Sequence, residues 1–236
     1  MPGILYLIPT PLGDNALHVL PDYMLRQLRD ITVFITERGK TARHFLKAAG
    51  LKHPLQSMTF FELNKYTNPS DYKRFLAPAI DQNQNIGLMS EAGCPGVADP
   101  GAVIVEIAHQ RGIKVVPLVG PSSILLALMA SGMNGQQFAF NGYLPQKPTE
   151  RKKALKEHER QSFRLNQTQL FIETPYRNNA FVENAISTLK NNTLFGIATD
   201  LTLESEFVCT LTIGKWKNTK LPDLHKRPTI FLLLAR

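Results

Sequence analysis

Short apolar runs alternate with stretches of helical spacing along the first half of this chain. Residues 4–8 form an apolar run closed by P-T-P-L-G. Tyr23, Leu25 and Leu28 recur at helical spacing within 22–29, and 31–35 is an apolar, β-branched strand pattern. Residues 41–49 read as a helix that stops at Gly50, a good residue for the left-handed position after a helix. A strand is expected over 54–61 and a helix over 71–81, which Pro78 must interrupt or end. Residues 85–89 predict a strand, 102–110 a helix ending at Gly112, and 114–119 another strand. Strand–helix alternation of this kind builds a parallel sheet with right-handed crossovers.

After 119 the pattern changes. Residues 124–130 form a strongly apolar helix, preceded by Ser122 and Ser123 as capping residues and followed by Gly132. Strands are expected over 138–143, 169–173, 195–199, 206–213 and 229–234, with helices over 150–164 and 178–190. More strands per helix predict a mixed sheet. The expected class is therefore α/β with two α/β domains. The N-terminal one spans 1–119 and is mainly parallel; the C-terminal one spans 120–236 and is mixed, with the boundary between 119 and 137. No repeat or low-complexity segment interrupts this organisation.

Composition sharpens the picture in three ways. At 43% hydrophobic, the 236 residues can bury a sizeable core. Two distant cysteines, Cys94 and Cys209, make no disulfide framework and predict a reducing compartment. The first residues lack a basic, signal-like segment, and no apolar run approaches the roughly 20 residues of a membrane span, so a cytoplasmic protein is expected. The net charge of +8 is local. One basic cluster runs from Lys147 through Arg151, Lys152, Lys153 and Lys156 to Arg164; others lie at 215–227 and at Arg38, Lys40, Arg43 and Lys47. One such cluster is as well explained by a solvated face; three together favour an anionic partner such as nucleic acid.

Four turns stand where parallel strands deliver loops to a ligand edge: 9–13 (P-T-P-L-G), 90–101 (S-E-A-G-C-P-G-V-A-D-P-G), 119–123 (V-G-P-S-S) and 173–177 (E-T-P-Y-R). A loop as long as 90–101 exceeds a plain connection in an α/β unit. Its glycines permit positive φ and close backbone approach. None of the turns is a G-x-G-x-x-G or a Walker A loop, so ordinary dinucleotide or nucleoside triphosphate binding lacks support. The six histidines show no paired ligand spacing, and no metal site is expected.

With these residues laid out, the chain resembles the S-adenosylmethionine-dependent methyltransferases of the tetrapyrrole methylase fold. It is most similar to the branch that methylates a ribose 2′-hydroxyl of small-subunit ribosomal RNA. The resemblance rests on P-T-P-[IL]-G at 9–13, S-D-A-G-x-P-x-[IV]-[SA]-D-P-G at 90–101 with Glu91 for the Asp, and V-V-P-L-x-G-P-[SC]-[SA] at 115–123. G-[FY]-L-P-x-K-x-x-x-R at 142–151 and E-[ST]-P-[HY]-R at 173–177 complete it, in the family's order. It implies two α/β domains with the active site in the interdomain cleft, usually in a homodimer. It also implies S-adenosyl-L-methionine held by Pro11, by Ser90, Glu91, Ala92, Gly93, Val97, Ala98 and Asp99, and by Ser122. On the C-terminal side the implied contacts are Tyr143, Leu144, Pro175, Ile197, Ala198, Pro228 and Thr229, mostly through backbone.

Methyl transfer from a sulfonium is an in-line displacement, so positioning supplies much of the rate. A ribose hydroxyl is a poor nucleophile and gains from a general base. Glu37, Glu62 and Glu91 are the catalytic candidates, and none is assigned; loop bracing or capping competes as the role of Glu91 and Asp99. Cys94 has no histidine partner for nucleophilic work, and a small packed side chain is its better reading. Substrate contacts fall to Arg38, Lys40, Arg43, Asn64, Lys152, Lys153 and Arg177. The substrate side departs from the branch. E-D-T-R-x-T-[RK] is E-R-G-K-T-A-R at 37–43, H-[ED]-H-N-E is F-E-L-N-K at 61–65, and A-R-E-[LI]-T-K is A-T-D-L-T-L at 198–203. The branch's C-terminal extension is also missing after 236, and a divergent paralogue is expected. The expected function is methylation of ribosomal RNA. Methylation of a tetrapyrrole, other small molecule or protein is the alternative, as is a relative that only docks RNA.

Overall fold

The structure, a computed structural model, describes residues 2–236. The chain divides into two compact units, the first ending at Ser122 and the second starting at Ser123.

The first unit carries β1 (Leu5–Ile8), α1 (Asp22–Leu28), β2 (Val33–Thr36), α2 (Gly39–Ala48), β3 (Thr59–Glu62), α3 (Tyr72–Phe75), α4 (Ala77–Asp81), β4 (Ile86–Met89), α5 (Ala102–Gln110) and β5 (Val115–Pro117). The five strands form one parallel sheet in the order β3-β2-β4-β1-β5. Strand alternation divides the core between its two faces. Leu5, Val33, Ile35, Ile86 and Leu88 pack with α3, α4 and α5. Ile8, Phe34 and Met89 pack with α1 and α2. Gly87 lies among the latter, where a Cβ would stand 2.5 Å from Ile8 Cδ1 and 2.9 Å from Phe34 Cδ1. The large neighbours occupy the space its side chain would need.

Local chemistry sets the ends of elements. Gly50 and Gly112 follow α2 and α5 with φ of 73° and 66°, as a helix stop requires. The helix expected over 71–81 divides into α3 and α4, with Pro78 tolerated in the first turn of α4. Two expectations shift. The strand expected from 54 begins at Thr59, because Leu55–Ser57 after Pro54 forms a 3-10 turn. The helix expected from 41 begins at Gly39, whose amide donates to Glu62 Oε1 at 2.9 Å, a cap supplied from β3.

The second unit carries α6 (Ser123–Ser131), β6 (Phe138–Tyr143), α7 (Pro148–Leu165), β7 (Thr168–Ile172), α8 (Asn178–Thr188), β8 (Leu194–Thr199), β9 (Phe207–Thr212), α9 (Ile213–Trp216) and β10 (Thr229–Leu234). Its sheet is mixed, in the order β6-β7-β10-β8-β9, with only β6 and β7 parallel. Phe171, Phe181, Phe195 and Phe231 form the centre of its core with Leu155 of α7. Trp216 is buried there and donates its Nε1–H to the Phe195 carbonyl at 2.8 Å, so its polar atom is satisfied. α7 starts with Pro148 and ends at Asn166 in the left-handed region (φ 47°). Among the described residues no helix is long and apolar enough to cross a membrane.

Candidate functional site

In the first unit, β1 and β4 are neighbours whose connections leave in opposite directions. β1 leads through α1 to β2; β4 leads through α5 to β5. α1 and α5 lie in the cores of opposite sheet faces. A crevice beyond the carboxyl ends of two such strands is where open α/β sheets take ligands.

The turns at this edge are tied together. Thr10 and Gly93 exchange both backbone hydrogen bonds, at 3.0 and 3.1 Å. Thr10 Oγ1 donates to the Ser90 carbonyl at 3.3 Å, and Ser90 Oγ to the Gly93 carbonyl at 3.0 Å. Gly93 has φ 76°, and a Cβ there would stand 3.2 Å from Leu12 Cδ2. Gly120, in the turn after β5, presses on Pro9 so closely that a Cβ would meet Pro9 Cβ at 2.3 Å. Cys94 Sγ lies 3.4 Å from the Pro121 carbonyl, and burial raises its thiol pKa; it is a packed thiol. Asp99 Oδ1 accepts from the amides of Gly96 (2.8 Å) and Gly101 (2.7 Å), bracing the long loop. Ala98 beside it is held at φ 61°, unusual for a residue with a Cβ.

A cavity of about 440 Å³ opens between the β1 turn, the start of the β4 loop and α2. Pro11, Ser90, Glu91 and Ala92 line it, as do Thr41 and Phe45 of α2, which sequence reasoning did not single out. Glu37, at the end of β2, accepts from the Glu91 amide at 3.2 Å. Burial raises the Glu37 carboxyl above its ordinary value. The Glu91 amide opposes this, the charges of Asp99 and Glu91 add to it, and Arg38 opposes it. Burial likewise raises Asp99, against the pull of its two amides. Glu62 is engaged otherwise: it caps α2 through Gly39. Arg38, Lys40 and Arg43 are exposed around that helix start, with the Arg43 guanidinium 4.4 Å from the Phe60 ring centre. Asn64 accepts from the Tyr66 amide at 3.0 Å and shapes a turn. Val97 is 48% exposed on the long loop.

The motifs of the second unit are joined differently. Glu173 is buried and its Oε1 accepts from Arg177 and from the Thr174 amide. Its Oε2 lies 3.7 Å from Arg151 Nη2. Arg151 is also buried, and donates to the carbonyls of Pro145 (3.1 Å) and Gln146 (2.8 Å). Residues 142–151 and 173–177 thus share one ion network, in which Arg177 is held by Glu173. Asn178, next in sequence, is fully buried and ties down the segment before β10. It donates to the Arg227 carbonyl (2.7 Å), the Leu224 carbonyl and Thr229 Oγ1. Pro175 accepts from the Lys226 amide, and Pro228 from Asp200, so these three stretches meet. Ile197 belongs to the core and Ala198 is fully buried, which leaves neither side chain to face a ligand. Leu144 is buried and Tyr143 is 60% exposed. Lys152 and Lys153 are exposed on α7. Among the described residues no group of three or more His, Cys, Asp or Glu could hold a metal ion.

The fold recurs among solved methyltransferases. The methyltransferase CobJ aligns with a TM-score of 0.64 over 99% of this chain and 94% of its own, at 16% identity. The architecture is that of the tetrapyrrole methyltransferases. Among curated proteins, the ribosomal RNA small subunit methyltransferase I of Escherichia coli is 30% identical over 233 residues, 99% of this chain and 77% of that protein. That of Xylella fastidiosa is 28% identical over 237 residues, covering 100% of this chain and 82% of its own. The chain belongs to this methyltransferase family. No family model matches it.

Proposed function

We propose that this protein transfers a methyl group from S-adenosylmethionine to RNA, at a ribose 2′-hydroxyl of small-subunit ribosomal RNA or a related site. The observation that carries the reading is the tied edge of β1 and β4: a crevice at the sheet's switch point, in a chain related over its full length to enzymes of that name.

S-adenosylmethionine supplies an activated methyl group on a cationic sulfur. The residues of the first unit fit such a group. The cavity volume lies in the range that holds small ligands, its walls join the turns after β1 and β4 to α2, and Glu91 on its wall, with Glu37 bonded to the Glu91 amide, provides negative charge. Pro11, Ser90, Glu91, Ala92 and Gly93 form the proposed holding residues, with Asp99 bracing their loop. Glu37 is the proposed base for the acceptor hydroxyl, since its raised pKa gives it more basicity than an ordinary carboxylate. Exposed Lys152 and Lys153 on α7, with Arg38, Lys40 and Arg43, would meet phosphates. The reading extends to a cytoplasmic location and to a homodimer, in which exposed apolar side chains such as Met129 and Phe138 would be covered.

Incubating the protein with methyl-tritiated S-adenosylmethionine and small-subunit RNA, then digesting to nucleosides, tests it. Label in a ribose-methylated nucleoside is the expected result. Label absent from RNA under conditions where S-adenosylmethionine binds would refute the substrate.

A further inference from the structure

Beyond Glu62 the chain makes a tight turn that sends one aromatic ring into solvent. Asn64 Oδ1 accepts from the Tyr66 amide (3.0 Å), and Thr67 Oγ1 accepts from the Asn64 amide (2.9 Å) and donates to the Glu62 carbonyl (3.0 Å). The turn is therefore fixed, yet Tyr66 is 83% exposed, the most exposed large apolar side chain among the described residues. Lys65 Nζ sits 4.9 Å from the centre of its ring. Tyr66 forms one wall of a groove of about 430 Å³, whose other walls include Phe60, Phe61, Asp71 and Arg74. Arg43 lies over Phe60 from the side of α2. The groove borders β3, an edge strand, at the same carboxyl edge as Glu37.

A solvent-facing ring on a fixed turn beside cations has no role in the core of this unit. It has the two parts that bind unpaired nucleotides: an aromatic face for a base, and positive charge for the flanking phosphates. Asp71 on the groove wall adds an acceptor for a base amine. We propose that Tyr66 is a stacking platform for an unpaired base of the RNA substrate, with Lys65, Arg74 and Arg43 holding its backbone. This rests on the RNA reading above and names the element of this chain that recognises unpaired RNA. The groove belongs to the segment in which Phe61, Leu63 and Lys65 replace the branch's two histidines and glutamate.

Fluorescence anisotropy with a short labelled single-stranded RNA tests it, using the full chain and three variants. Tyr66→Ala should weaken binding roughly 5- to 100-fold with an unchanged salt slope, because stacking carries no counterion release. Tyr66→Phe should bind within about twofold of wild type, because the ring face is retained. Arg74→Gln should lower the salt slope by about 0.7, the contribution of one phosphate on a single strand. Thermal unfolding of Tyr66→Ala should match wild type, since the ring is exposed. Wild-type RNA binding with an equally tight Tyr66→Ala overturns the stacking platform alone. No RNA binding by wild type overturns the RNA reading and the platform with it.

Discussion

The two units use the same kinds of family-like motif for opposite ends. In the first, the turns after β1 and β4 leave a cavity at the sheet edge, with Glu37 and Glu91 beside it. In the second, two charged motif residues turn inward: Arg151 and Glu173 are buried against each other, Arg177 is held by Glu173, and Asn178 beside the motif anchors the segment before β10. A charged residue in a recurrent motif is thus no guide by itself to chemistry. Burial and partners separate a side chain that can meet a ligand from one that holds a turn in shape.

That contrast can be broken most sharply at Glu37. Glu37→Gln should lower kcat by roughly 10²- to 10⁴-fold, a far larger effect than its loss of S-adenosylmethionine binding, which the Glu91 charge and the loop backbone largely retain. Because the folded carboxyl titrates above its ordinary value, wild-type kcat should fall as pH drops through that raised value, where the base becomes protonated. The variant should lose this limb. A variant with normal kcat would remove Glu37 from the chemistry.

Arg151→Ala should do the reverse, acting on stability. It leaves Glu173 with Arg177 as its one cation and frees two carbonyls that Arg151 had satisfied. Removing one partner of a buried ion pair costs about 3 kcal/mol or more, read as a lower urea midpoint. An unchanged midpoint would mean that the second unit's network is not structural. Gly93→Val comes next. A β-branched side chain at φ 76°, pressed on Leu12, should weaken S-adenosylmethionine binding by about tenfold or more in calorimetry. Normal heat would detach the 90–101 loop from the methyl donor. The smallest effect is expected at α7. Lys152→Glu with Lys153→Glu should weaken RNA binding and lower its salt slope by about 1.4 to 1.8 if both lysines meet phosphates. An unchanged slope would leave that face of α7 outside the RNA surface.

Much of the fold was legible because it follows local rules. The parallel unit shows in its strand–helix alternation, and Gly50 and Gly112 mark helix ends by needing positive φ. What escaped depends on distant partners. α2 begins at Gly39, a poor helix former, because Glu62 from β3 caps it across 23 residues. The same bond engages a carboxylate that the sequence alone offers as a catalytic candidate. Arg177 is a substrate contact in the sequence reading, which has no means of showing that Glu173 holds its guanidinium. The apolar start of 54–61 looked like strand, but Pro54 opens a 3-10 turn there. Tyr66 drew no notice in the sequence, since an isolated tyrosine is ordinary; its fixed turn and its groove give it meaning.

The measurement that tests the central claim most directly is mass spectrometry of ribosomal RNA from cells with and without this protein. The account predicts that one ribose-methylated nucleotide of the small-subunit RNA loses its methyl group in the deficient cells, and regains it when that RNA is treated with the purified protein and S-adenosylmethionine. Identical methylation in both RNAs, with no transfer in vitro, would contradict it.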